Sequence, residues 1–150
     1  MDGKCFLTTA QFLSTEGSGE ADFRSAISRA YYACFLAARH IAFMNCKETY
    51  RQTFKITREK DITHWGLQQH LKGGLIEPVR QLGEDLAALH GSRKDADYEM
   101  AGCPFGAKDA THSIEEAGLF LAALAEVKPR DIGNAMEKQI QFPRRMGGGA

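Results

Sequence analysis

Apolar residues recur at three- and four-residue spacing through most of this chain, and nowhere do they alternate with polar ones over the length of a strand. In "ADFRSAISRAYYACFLAARHIAFMN", residues 21–45, Phe23, Ile27, Ala30, Cys34, Ala37 and Ile41 make one continuous helical face. Val79, Leu82, Leu86 and Leu89 form a second stripe, in a helix that begins near Glu77. Ala110, Ile114, Ala117, Leu121 and Leu124 form a third, over residues 108–128. Shorter helices are expected over residues 4–13, 63–72 and 129–141; the first gathers Phe6, Leu7, Ala10 and Leu13 on one side, the last Ile132, Met136 and Ile140. The polar, rather basic stretch 47–60 reads as a connection. Pro78 and Pro129 sit where a helix begins, a place proline tolerates. The expected fold is all-α, an up-and-down helical bundle of five or six helices. It forms one domain over residues 1–141, with a flexible tail at 142–150.

The long helix carries a second, less ordinary face. At 100° per residue, Arg24, Ser25, Ser28, Arg29, Arg39 and His40 fall in one sector, and Tyr32, Phe35, Leu36 and Phe43 intrude into it. A surface helix keeps its outer face polar. Aromatic side chains between arginines therefore predict that this face is covered, by another helix or by a second subunit.

Bulk composition narrows the function only by exclusion. The 150 residues are enough for a core of their own, and 43% hydrophobic with 25% charged residues is globular composition. Nineteen basic and nineteen acidic residues cancel, so nucleic-acid binding must come from a local patch rather than from the whole-molecule field. No run of eighteen apolar residues and no signal-peptide pattern occurs, so the expectation is a cytoplasmic chain without membrane association. Cys5, Cys34, Cys46 and Cys103 lack zinc-knuckle spacing and read as reduced thiols. His64 and His70 lie six residues apart, without clustered carboxylates; no metal and no cofactor is expected. Phosphate loops, dinucleotide fingerprints and nucleophile elbows are absent from the sequence.

The most informative stretch is "SRKDADYEM", residues 92–100. Four residues past Leu89, where another aliphatic residue is due, stands Arg93, and four further on Asp97. If the helix continues through Gly91, His90, Arg93 and Asp97 project within about 60° of one another, on the side of Leu86. A charge facing a core needs a partner, and Arg93 and Asp97 can serve each other, with the Tyr98 hydroxyl nearby. Such a pair adds little net stability. It is either the exit of the helix into solvent or the wall of a cleft where an arginine meets phosphate.

"FRSAISRAYYACFLAARHI" followed downstream by "LHGSRKDADYE" resembles the HEPN (higher eukaryotes and prokaryotes nucleotide-binding) domain family over residues 5–128. The likeness rests on the Ser28–Ala33 run and on Arg93 with Ala96, Asp97 and Tyr98, similar to a variant in small prokaryotic members. It implies a helical bundle, often a homodimer, working in a toxin–antitoxin or defence system. It also implies RNA, a nucleotide, a cognate antitoxin or a nucleotidyltransferase as partner. Many members are metal-independent ribonucleases, with a histidine four to six residues after the arginine. Here Asp97, Tyr98 and Glu99 occupy those positions, and His90 precedes Arg93 instead. The leading expectation is thus a binding or regulatory module, in which Arg29, Tyr32 and Arg93 contact phosphate or a partner carboxylate and Asp97 orients Arg93. The alternatives are an endoribonuclease using Arg93, Asp97, Tyr98 and His90, or a structural subunit of a larger complex.

Trp65 reads as a core or interface anchor, Arg39 and His40 as complements to a helix C-terminus, and "RQTFKITREK", residues 51–60, as a solvated connection able to touch RNA.

Overall fold

The computed structural model describes residues 3–98 and 104–141, with side chains through 135. Among the described residues seven α-helices follow one another: α1 (Gly3–Glu16), α2 (Glu20–Asn45), α3 (Lys47–Phe54), α4 (His64–Lys72), α5 (Glu77–Tyr98), α6 (Ala107–Glu126) and α7 (Pro129–Gln141). One 3₁₀ turn, Glu59–Asp61, precedes α4, and no strand occurs among the described residues. The all-α expectation holds. The count differs because α3 forms inside the stretch expected to be a mere connection. Its sequence, KETYRQTF, has a single buried anchor, Tyr50, which is too little for a periodic signal.

The chain divides into two compact units, Met1–Ala37 with Asp85–Leu124 and Ala38–Glu84 with Ala125–Ala150. In the first, α2 contributes the fully buried Ala26, Ala30, Tyr31, Ala33 and Cys34, and α5 contributes Leu86 and Leu89. Small side chains let helices approach closely: a Cβ on Gly3 of α1 would lie 2.7 Å from the Ala33 carbonyl oxygen. Ala26, Ile27, Ala96 and Ala110 form a local core, with Leu13, Phe23 and Phe105 packed on it. α5 does continue through Gly91, where an added Cβ would meet only open space. Ser113 and Glu116, spaced like a capping box, lie inside α6, with Ser113 buried.

The second unit packs α3, α4 and α7 around Tyr50, Leu67, Leu71 and Ile132, all buried. Thr63 caps α4 by accepting the Gly66 N–H at 3.0 Å. The α3 terminus is closed by Lys55 in the left-handed region, φ 57°. His70 is buried and shares a hydrogen bond of 3.1 Å with the Tyr50 hydroxyl. Arg39 and His40 face Glu59 of the 3₁₀ turn, at 3.6 and 3.0 Å, instead of standing alone at a helix end. Trp65 is no core anchor; it is 64% exposed. Cys103, Glu99 and residues 142–150 lie outside the described residues, as do the Met136 and Ile140 side chains expected on the apolar face of α7.

Candidate functional site

The first unit contains a recess of about 470 Å³ lined by Phe6 of α1, Ser25, Ser28, Arg29, Tyr32 and Leu36 of α2, and Asp97 of α5. Five of these residues come from the unusual sector or its neighbours on the long helix: positions 25, 28, 29, 32 and 36 follow the three- and four-residue rhythm of one helical side. α1 supplies the cover that the aromatics on that side require. The rings of Phe6 and Tyr32 stand 6.0 Å apart at 38°, and the Arg29 guanidinium lies 5.4 Å from the Phe6 ring centre. Among the described residues Arg29 makes no ion pair, and it is exposed.

α5 brings the ion pair to the edge of this recess. Arg93 Nε lies 2.6 Å from Asp97 Oδ2, with side chains 16% and 26% exposed. The buried Nε has no aligned hydrogen bond despite this distance, so the contact is an ion pair whose N–H is not aimed at the carboxylate. The Arg93 guanidinium is centred 5.3 Å from the Tyr32 ring and 5.9 Å from the Tyr98 ring. Asp97 and Tyr32 line the recess, whereas Arg93 stands behind them. The last turn of α5 is tied down by Arg24. Its Nη1 donates to the Ala96 carbonyl at 2.7 Å, while Glu20 holds the same guanidinium at 2.6 Å and the Phe105 ring lies 4.5 Å away. A cation on a helix's final carbonyls is favourable both as a hydrogen bond and against the helix dipole.

The residues singled out in the sequence thus separate into three groups. Arg29, Tyr32 and Asp97 share the recess. Arg93 supports two of them from behind. His90 belongs elsewhere: its ring stacks on the buried Tyr31, 5.0 Å between centres at 16°, and it is not among the lining residues. Tyr98 is 69% exposed, with its ring centre 5.9 Å from the Arg93 guanidinium, and it is not among the lining residues.

Four lining residues, Phe6, Ser25, Ser28 and Leu36, were not expected as site residues; Leu36 was visible among the apolar intrusions into the polar sector of α2. Ser25 and Ser28 were visible in the polar sector of α2, beside Arg29. Phe6 carried no such signal, because its role depends on where α1 lies against α2. No group of three or more His, Cys, Asp or Glu residues able to hold a metal occurs among the described residues.

Chemically, the recess offers one guanidinium and two hydroxyls for an anion, a carboxylate that accepts hydrogen bonds, and two aromatic faces. Its volume is within the usual range for small-ligand pockets. Asp97 is engaged by Arg93, and His90 stacks on Tyr31 instead of lining the recess. Compared with models of known protein families, with curated proteins and with solved structures, the chain matches none.

Proposed function

We propose that the first unit is a HEPN-like nucleotide-binding module, taking a nucleotide either free or as one residue of a single-stranded RNA. The observation that carries this reading is the shared lining of one recess by Arg29, two serine hydroxyls, two aromatic rings and Asp97. Arg29 with Ser25 and Ser28 meets the phosphate; a guanidinium and hydroxyls are its natural donors. The base lies against Phe6 and Tyr32, where stacking is tolerant of base identity. Asp97, held by Arg93, accepts a hydrogen bond from a ribose hydroxyl or an exocyclic amine. The resemblance in sequence extends the proposal to a homodimer in a toxin–antitoxin or defence system, with a cognate antitoxin or nucleotidyltransferase as partner.

Titration of the full chain with AMP, adenosine and inorganic phosphate by calorimetry tests this. AMP binds more tightly than either fragment, and Arg29→Ala removes the advantage of the phosphate. Equal affinity for AMP and adenosine, or no AMP binding at millimolar concentration, refutes it. Incubation with a mixed RNA pool in EDTA checks the ribonuclease alternative, which predicts cleavage abolished by Arg93→Ala. Light scattering near twice 16.6 kDa supports the homodimer.

A further inference from the structure

The C-terminal turn of α5 carries the wrong charge for its place. It holds Asp95 and Asp97, and none of its residues is basic. The last carbonyls of a helix lack intrahelical partners and form the negative end of its dipole. Two carboxylates at that end oppose the turn.

The missing cation comes from another helix. Arg24 of α2 donates from Nη1 to the Ala96 carbonyl at 2.7 Å. Its Nε donates to Glu20 Oε1, one turn earlier on α2, also at 2.7 Å. The guanidinium is centred 4.5 Å from the Phe105 ring, and the side chain is 20% exposed, so water only partly screens these contacts. Ala96 is buried among Ala26, Ile27 and Ala110, and Phe105 packs on that cluster as well as facing Arg24. The next residue, Asp97, lines the recess; Arg24 does not.

We infer that Arg24 is a positioning residue for the recess: from outside it, Arg24 fixes the last turn of α5 and so where Asp97 presents its carboxylate. Arg93 cannot serve this purpose, because it sits on the same helix as Asp97 and moves with it. The Arg24 contact joins residues 72 apart in sequence and ties the turn to α2. Without it the turn frays, since terminal turns open at the lowest free energy, and Asp97 leaves the recess wall together with its ion pair. The effect on ligand affinity rests on the nucleotide-binding reading; the effect on the turn does not.

Two variants test this. Arg24→Met keeps a long unbranched stem and removes the charge and the hydrogen bond, while Arg24→Lys restores the charge. Hydrogen exchange by NMR on the ligand-free chain reads the turn. In Arg24→Met the amides of residues 95–98 exchange about tenfold faster, those of residues 86–89 keep their rates, and Arg24→Lys recovers part of the loss. Titration with AMP reads the site. Arg24→Met weakens AMP by about fivefold, and in an Asp97→Asn chain the same change has little further effect, because it acts through Asp97.

Unchanged exchange at residues 95–98 overturns the inference, as does exchange that is already unprotected there in the native chain. Faster exchange along the whole of α5 also overturns it, since Arg24 would then be a general support of the fold. So does AMP affinity that Arg24→Met leaves unchanged, or that falls by the full product of the two single changes when Asp97→Asn is added. If the native chain binds no AMP, the nucleotide reading falls, and the exchange rates alone decide the role of Arg24.

Discussion

Arg93 Nε stands 2.6 Å from Asp97 Oδ2, and of the two residues only Asp97 reaches the recess. The aspartate is therefore the member of the pair that lines the recess, with the arginine as its counter-charge. From the sequence, Arg93 is expected to meet phosphate or a partner carboxylate with Asp97 orienting it; the structure shows the ion pair and has Asp97, not Arg93, in the lining of the recess.

The pair should also be visible in stability. Asp97→Ala leaves a largely buried guanidinium without its carboxylate. Removing one partner of a fully buried pair costs about 3–5 kcal/mol, and the partial exposure here reduces this to about 1–3 kcal/mol. Replacing both residues, Arg93→Met with Asp97→Leu, costs less than the sum of the two single changes. Urea denaturation in a double-mutant cycle measures the difference.

Stability should depend on pH through His70. Burial lowers its pKa from 6.5 to about 4, and its ring is held against the Tyr50 hydroxyl, itself pushed up by burial. Between these two pH values the unfolded chain binds more protons than the folded one. Stability from this source is complete above pH 6.5 and declines as pH falls toward 4, by up to about 3 kcal/mol. Thermal midpoints of the native chain and of His70→Gln across pH 7 to 4 should converge toward the acid end.

Lys55 offers a stabilising change. It closes α3 with φ 57° and ψ 30°, a conformation that costs a side-chain-bearing residue roughly 1 kcal/mol relative to glycine. The Ile56 N–H donates to the Tyr50 carbonyl at 2.9 Å, a bond that glycine at position 55 preserves. Lys55→Gly should raise the unfolding free energy by about 0.5–1 kcal/mol. An unchanged or lower denaturation midpoint would count against a strained terminus.

The cysteines should differ sharply in reactivity. Cys5 is exposed, whereas Cys34 is fully buried, donates its Sγ–H toward the Ala117 carbonyl at 3.6 Å, and has its pKa pushed up to about 12 by burial. A thiol attacks as its thiolate. Brief alkylation at pH 8 followed by peptide mapping should label Cys5 and leave Cys34 unmodified until the chain is unfolded. Early labelling of Cys34 would show that α2 and α6 part readily in solution.

Much of this was legible in one dimension. Helical periodicity depends on local geometry, so the stripe of α5 matched its buried face, and those of α2 and α6 did so in part: Ile114 and Leu121 are half-buried where Ser113 and Phe120 are buried. The break in the α5 stripe at Arg93 and Asp97 likewise announced a charged end facing inward. α3 escaped notice because one buried tyrosine in eight residues leaves no period to detect, and its helix is held by packing within its unit. What the linear order determined is which side chains share a helical side: Arg29, Tyr32 and their serines on α2, and Arg93 with Asp97 on α5. What only the tertiary structure decided is which of those sides meet, because contacts between helices depend on how α1, α2 and α5 approach one another. That approach put Phe6 over Arg29, turned Asp97 toward the recess with Arg93 behind it, and stacked His90 on Tyr31 instead of beside them.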